Sequence, residues 1–500
     1  MAVTGIGGAS ALTLQSISDM RNKLDDLQRQ LGSGQKTTTY AGLGLDAGLT
    51  VGLRTQLNAV AGYQSTITQV GVRLDLMQTA LSQFAAVSQQ SKSSIVQSQY
   101  RLAGGTQTQD QKNAVNMLDS LVGMLNTAAD GRYLFSGRTV DQEPVASTDQ
   151  ILNGSGVQAG LKQVIDERRQ ADLGTTGLGR LIVGAPSPTS VSLDEDAVSP
   201  FGFKLVGATT AIAGATVSPP AGAPASMFVD LGPTNPNPGD TIKFTFTLPD
   251  GSKQDLTLTA TNASPAAAGQ FTIGAASTDT AINLQAALTQ SLGTLANTQL
   301  VAASAVQAGN EFFNTDASQP PLRVDGPPFD TATAMIDGTP ANTVAWYTGD
   351  DATDDPRSTA LARADQSLTV SYGARANEQG LRVAVQNLAV FAAVQFSGAD
   401  PDGQEQYNAL QHRIGANLNG APNQQTVADI SGQLAGAQVA LSNAKDRHDQ
   451  TNTTLQNLLQ TLTGAPTEQV AAQILSLQTS LQATLQTTAM LLKTSILQYI

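Results

Sequence analysis

Over residues 53–84 the apolar positions fall at Leu53, Leu57, Val60, Tyr63, Ile67, Val70, Leu74, Met77, Leu81 and Phe84, in steps of three and four. That spacing draws a narrow apolar stripe along one helix, enough to meet one or two other helices and too little to enclose a globular core. No proline precedes Pro144, so nothing breaks this helix before about Leu102. Its stripe needs partners from elsewhere in the chain.

The same period recurs on both sides. Ile17, Met20, Leu24, Leu27 and Leu31 predict a first helix over 11–31, stopped by Gly32 and Gly34 and followed by a Thr- and Gly-rich loop over 36–48. After Gly104-Gly105 a third helix runs through Val115, Leu118, Val122, Leu125 and Ala129, and the short aromatic stretch 131–137 reads as a strand leaving the bundle. A helix through Leu381, Val385, Leu388 and Phe391 precedes a second long seam, from Val427 through Ile430, Leu434, Ala437, Leu441, Ala444 and His448 to Leu455, Leu458 and Leu462. Gly464-Ala465-Pro466 breaks that seam, and Val470, Ile474, Leu477, Leu481, Leu485, Leu492 and Ile496 mark a last helix. The two ends mirror each other. Closing such a chain requires its N- and C-terminal arms to pair antiparallel.

Between the arms the period changes to two. Residues 241–248 alternate strictly, Pro249-Asp250-Gly251 turns, and 256–260 alternates back, which predicts a hairpin. Further strands are expected at 271–273 and 300–306, and a short amphipathic helix at 279–292 capped by its Asp. The expected fold class is α+β: a long antiparallel helical bundle from the paired arms, with one or two β-rich modules inserted. The corresponding division is a terminal helix (1–40), a long arm (41–135), a β-rich acidic insert (136–345), a returning strand and arm (346–463) and a final helix (464–500).

Charge sharpens this picture. Residues 1–135 carry 10 Lys and Arg against 8 Asp and Glu, residues 380–500 carry 5 against 7, and the middle carries 12 against 25. Near-neutral ends pack against copies of themselves without repulsion, whereas an acidic middle stays hydrated. The acidity argues against nucleic acid as a partner, since phosphates need a basic face. Aromatic residues make up only 4%, which leaves little for a large compact core. Cysteine is absent, so neither a disulfide framework nor a thiolate metal site is available. No charged n-region precedes Arg21 and no apolar run approaches a membrane span, so export without a cleaved signal peptide and no membrane partner are expected.

Candidate chemistry is sparse. His412 and His448 are the only histidines; His448 sits on the seam, where a polar residue sets register more readily than it acts as a base. Asp194-Glu195-Asp196 and Asp350, Asp351, Asp354 and Asp355 are acidic clusters without EF-hand spacing, read as solvated loops. Gly42-Leu43-Gly44-Leu45-Asp46-Ala47 matches a dinucleotide-binding pattern but has no strand before it, so it reads as a helix–helix loop. No cofactor, metal or catalytic set is expected. The last helix carries many Thr, Gln and Ser and ends in bare hydrophobics, which marks an interaction site; the terminal helices are expected to be loose alone and to order on assembly. An open head-to-tail repeat of such contacts makes a helical tube.

Several stretches resemble the bacterial flagellin family. Leu27-Gln28-Arg29-Gln30-Leu31-Gly32-Ser33-Gly34-Gln35-Lys36 is similar to the flagellin N-terminal signature, a Leu helix ending in a Ser-Gly turn and a basic residue. Gly131-Arg132-Tyr133-Leu134-Phe135-Ser136-Gly137 followed by Pro144, and 368–377, are closer to the hook-filament junction branch, the third hook-associated protein. The middle resembles the variable insert of alphaproteobacterial flagellins, and Tyr40 to Gly48 departs from the family's Asp-Asp-Pro-Ala run.

The resemblance implies a structural, non-enzymatic axial subunit of the extracellular flagellum, exported unfolded by the type III apparatus. The terminal helices would line the inner tube, the long helices the next shell, and the middle would face solvent. Self-assembly would rest on Leu14, Ile17, Met20, Leu24, Leu27 and Leu31 at one end, and on Val470, Ile474, Leu477, Leu481, Leu485, Leu492 and Ile496 at the other. The implied partners are other copies, neighbouring hook-associated proteins and flagellin, and an export chaperone, and 131–137 would place the outer domain. Filament flagellin itself and, in a different class, a secreted coiled-coil adhesin or tether remain open.

Overall fold

A computed structural model describes residues 4–315 and 319–497. The N-terminal arm holds α1 (Thr4–Ser33), α2 (Asp46–Gln97) and α3 (Gln109–Leu125), then the two-residue strands β1 (Ala128–Ala129) and β2 (Arg132–Tyr133). The middle opens with α4 (Thr148–Asn153) and α5 (Leu161–Leu173). It continues through β3 (Leu181–Gly184), β4 (Ser190–Glu195), β5 (Lys204–Thr210), β6 (Thr216–Val217), β7 (Ser226–Asp230), β8 (Thr241–Thr247), β9 (Lys253–Thr261) and β10 (Gln270–Thr272). Next, α6 (Ser277–Leu295) runs through a π-helical turn, Ala296–Leu300, into α7 (Val301–Phe313). The strands β11 (Leu322–Val324), β12 (Met335–Asp337), β13 (Leu361–Arg363) and β14 (Thr369–Ser371) lead to α8 (Gln379–Ala393), α9 (Gly403–Asn417), α10 (Val427–Thr463) and α11 (Thr467–Leu497). The architecture is α+β.

The chain divides into two compact units, one from 1–70, 362–370 and 439–500, the other from 71–361 and 371–438. In the first, the leading part of α2 buries Leu53, Val60, Ile67 and Val70, and α10 buries Leu441, Ala444 and His448. Gln64 donates to Asp449 at 2.6 Å, and α1 packs against α11. In the second unit the same stripe of α2 continues as Leu74, Met77, Leu81 and Phe84, all buried, with Ile430 and Leu434 of α10. Gln78 Nε2 donates to the Ser431 carbonyl at 2.8 Å and Gln438 donates to Asp75, so α2 and α10 run antiparallel here.

The second unit also holds two four-stranded sheets, ordered β10-β9-β8-β5 and β3-β4-β7-β6. The predicted hairpin forms with Ile242 opposite Leu258 and Phe244 opposite Leu256. Ile242, Phe244 and Phe246 point inward while Lys243, Thr245 and Thr247 point outward, as alternation requires. Phe271 lies on β10, parallel to β9. One core joins Leu193, Met227 and Val229 of one sheet, Phe244, Phe246 and Leu258 of the other, and Leu284, Leu288 and Leu292 of α6. The scarcity of aromatics therefore does not preclude a substantial core, because leucine, valine and alanine fill most of it around Phe203, Phe244, Phe246 and Phe271.

Three expectations are corrected. Residues 300–306 are not a strand but lie almost wholly in α7, where Ala302, Ala303, Ser304, Ala305, Val306 and Ala308 are all buried. A helix covered on every side shows no polar face, and a short apolar run of this kind cannot be told from a buried strand by period. The insert holds more helix than the one expected at 279–292, which forms as α6: α4, α5 and α7 also stand among its strands. The helix α5, not expected from the sequence, has Glu167, Arg168 and Asp172 inside. Only Arg132–Tyr133 of 131–137 is strand, paired with Ala128–Ala129, and the rest turns.

Inside the second unit α5 is held by ion pairs. Arg168 bonds Asp172 at 2.9 Å and also Glu311 of α7, while Asp172 accepts from Ser304 Oγ at 2.6 Å and from the Gly202 amide at 2.8 Å. Arg323 Nε donates to Glu167 at 2.7 Å. Burial pushes the Glu311 carboxyl above its ordinary value, against the opposing pull of Arg168, and its Oε2 is buried without a partner. The folded chain therefore binds this proton more tightly than the unfolded one. Its contribution to stability grows as pH falls from the raised value toward the ordinary 4.5. We expect the urea midpoint of wild type, measured relative to Glu311→Gln, to rise between about pH 8 and pH 5. A constant difference would assign Glu311 no such linkage.

Candidate assembly interface

The terminal pair forms because each helix carries only one apolar stripe. Leu27, Val470 and Ile474 make its buried centre, with Leu24, Leu477 and Ala465 packed around them. Ile17 is also buried, and Met20 and Leu481 are half-buried. Leu14 (64% exposed), Leu31 and Leu485 remain open, and so do Leu12 and Leu475, which sequence reasoning did not single out. The side chains of Leu492 and Ile496 lie outside the described residues. The expected looseness of both helices is not what the structure displays: it forms them and pairs them, leaving a two-helix seam with leucines on its outer surface. Covering one such leucine contributes about 1.5–3 kcal/mol.

A clasp closes the base of this pair. Gly34, at φ +68, ends the α1 turn in a conformation that favours glycine. Gln35 then bridges Gly464 antiparallel, the Lys36 amide donates to the Thr463 carbonyl at 2.8 Å, and the Ala465 amide to the Gly34 carbonyl at 2.9 Å. Lys36 Nζ donates to the Thr461 and Leu462 carbonyls at 3.2 and 3.0 Å. These are the last carbonyls of α10, which lack helical partners and carry the negative end of its dipole. The sequence shows two glycine breaks at matching places; that one break caps the other was not legible.

Above the clasp, His448 stacks on Tyr63 with ring centroids 5.4 Å apart, and its Nε2 lies 2.7 Å from the Ala364 carbonyl. The ring is 5% exposed, so shifting α10 by one turn would strand a buried polar group. This is a register-setting role. The Gly42–Ala47 pattern falls on a 3-10 turn, Tyr40–Leu43, and the start of α2, with no strand before it.

In the second unit the outgoing and returning chains are latched together. Ser136 bridges Arg375, the Gly137 amide donates to Ala374 O at 3.0 Å, and the Ala376 amide to Phe135 O at 2.8 Å. Gly137 has φ +65, and a Cβ there would meet Asp350 Cβ at 2.6 Å. Asp350 accepts from Arg138 and Arg375, each at 3.0 Å. Asp354 also bonds both guanidiniums, Arg138 foremost, and is held well below the usual carboxylate range. Glu378 pairs with Arg357 and accepts from the Arg375 amide at 3.0 Å and from Gln425 at 3.0 Å. The reading of Asp350 and Asp354 as a solvated loop is thereby corrected: they balance arginines from two distant segments. Asp194, Glu195 and Asp196 are likewise engaged, by Ser192 and Ser226, by Lys204, and by Arg180.

The N-terminal arm carries a family likeness. Residues 8–139 match the family model of the bacterial flagellin N-terminal helical region. The matched stretch takes in most of α1, all of α2 and α3, and ends just beyond the latch residue Arg138. It supports the bacterial flagellin family, a structural rather than catalytic family whose members form the extracellular flagellum. No curated protein matches the chain. Among the described residues, no helix is long and apolar enough to cross a membrane.

Two expected outcomes test this geometry. Asp350→Asn should lower unfolding stability by about 3 kcal/mol in urea, because it uncouples a buried charge from Arg375. Asp354→Asn, at a position 40% exposed, should cost less; equal losses would contradict the latch. Lys36→Ala should speed amide hydrogen exchange at Lys36, Gly464 and Ala465 by about tenfold, corresponding to about 1.4 kcal/mol of local opening. Unchanged exchange would show that Lys36 is not what holds the clasp.

Proposed function

We propose that this chain is a self-assembling axial subunit of the bacterial flagellum, at the junction between hook and filament. The observation that carries the reading is the terminal pair α1/α11: antiparallel, thinly sealed, bearing exposed leucines, on a chain whose N-terminal arm matches the flagellin model. Leu14, Leu31 and Leu485 are the residues we assign to contacts between copies. Ile17, Leu27, Val470 and Ile474 hold the pair, with Met20, Leu24, Leu477 and Leu481 at its margins. Leu492 and Ile496 continue the C-terminal pattern in sequence.

The choice of the junction rests on the motif at 131–137 and its partner at 368–377. The matched model describes flagellin, which favours the second reading, filament flagellin itself. In either case the neighbours are other axial proteins, the route is type III export, and an export chaperone contacts the terminal segments, 14–31 and 470–500. The functional division we adopt is 1–40, 41–135, 136–345, 346–463 and 464–500.

Removing residues 1–35 and 470–500 should abolish polymerisation while the middle still folds. A secreted tether would keep its adhesive activity after the same deletion, and that result would overturn the axial reading. Immunogold label confined to one band at the base of the filament is the outcome expected for the junction. Uniform label along the filament would transfer the assignment to flagellin.

A further inference from the structure

A groove of about 850 Å³ lies in the second unit between α7, α8 and α9, closed at one end by the turn joining β8 and β9. Ligand pockets of this size are ordinarily apolar, with a few placed polar groups. Here polar groups take as large a share as apolar ones. Asn310, Gln379, Gln386, Asn387, Asn417 and Gln424 line it, and the apolar lining is limited to small side chains such as Val306 and Ala416.

These amides are set in place before any ligand arrives. Gln386 Nε2 donates to Asn310 Oδ1 at 2.6 Å, and Asn310 Nδ2 to Gln307 Oε1 at 3.1 Å. Asn417 Nδ2 donates to Asn387 Oδ1 at 3.1 Å, and Asn387 Nδ2 to the Val383 carbonyl at 2.8 Å. Gln386 and Asn387 are 7% and 3% exposed. An amide offers two donor hydrogens and an acceptor oxygen with two lone pairs, so these bonds leave capacity of both kinds on the lining. Hydroxyl groups, which also donate and accept, are the chemistry that uses both.

Charge narrows the ligand further. Asp250 is the sole carboxylate on the lining, and Arg413 neutralises it at 3.0 Å while also donating to Gln299 at 2.7 Å. Lys253 and Arg382 add positive charge, Lys253 from within residues 136–379, which carry 25 acidic against 12 basic residues. Val383, Asn417, Gly420, Ala421 and Gln424 also line an adjoining depression of about 330 Å³ that reaches Ser88 and Gln89 of α2. The site is therefore long enough for more than one ring.

From the amide lining, its positive charge and its length, we propose that this groove binds a short acidic oligosaccharide, with hydroxyls on the amides and a carboxylate held at Lys253. His412 is the one ring among the described lining residues, which include no Phe, Tyr or Trp, so recognition rests chiefly on hydrogen bonds and charge, and binding is modest and falls with salt.

Isothermal titration of the full chain with tetragalacturonate, compared with the neutral maltotetraose, tests this. We expect tetragalacturonate to bind, with affinity dropping about tenfold on moving from low to several-hundred-millimolar salt, and maltotetraose to bind far more weakly. Lys253→Ala, an exposed position, should weaken tetragalacturonate binding several-fold with an unchanged melting curve, and Asn417→Leu should abolish it. The proposal is overturned by the absence of tetragalacturonate binding, by equal binding of the neutral sugar, or by wild-type affinity in the Lys253→Ala, Asn417→Leu double variant.

Discussion

A helix with an apolar stripe only one or two side chains wide cannot bury itself, and this constraint orders the whole molecule. It obliges the 52 residues of α2 to find a second helix along their length, and the 37 of α10 supply it. Because α2 and α10 lie far apart in sequence, pairing them brings the two ends of the chain together. The glycine breaks at Gly34 and Gly464 then meet, and α1 and α11 leave side by side. Lys36 completes this by donating to the open end of α10, and His448 fixes which turn of α10 faces Tyr63. A pair of lone helices buries too little for independence, so the leucines left outside are the natural place for another copy to pack.

The second unit solves a different problem with different means. Its sheets and α6 bury aromatic and aliphatic side chains in the usual alternating way, but α5, α7 and the latch place charge inside. Arg168, Asp172, Glu167 and Arg375 are nearly inaccessible, and each has an opposite charge or a backbone carbonyl within hydrogen-bond reach. Removing one member of such a set costs far more than the pair contributes as a whole, because the remaining charge is left without water. The latch therefore specifies geometry more than it adds stability: Asp350 joins Arg138 of the outgoing chain to Arg375 of the returning one. The amide-lined groove is a further place where polar groups are held inside, and there they remain partly available.

Much was legible in the sequence wherever burial is one-sided. The three-four stripe of α2, the seam of α10, the Gly464–Pro466 break and the strict alternation of β8 and β9 each follow from a face that meets solvent and a face that does not. The acidic clusters, the strand expected at 300–306 and the helix α5 were misread or missed for the converse reason. Ala302 to Ala308 are covered all round and so carry no period. In α5 the polar residues Glu167, Arg168 and Asp172 face inward, which reverses the pattern a reader looks for.

The sequence alone thus determined that long helices stand at both ends, that they must pair antiparallel, and that the terminal segments carry apolar positions suited to association. Periodicity records which residues lose contact with water, and that is local information. Tertiary structure alone decided which partner each buried polar group receives. That the base of α1 caps α10, that Asp350 answers two arginines, and that several amides converge on one groove all depend on segments tens to hundreds of residues apart. Hydrogen bonds and ion pairs require specific atoms within about 3 Å, and no pattern along the chain encodes such distances.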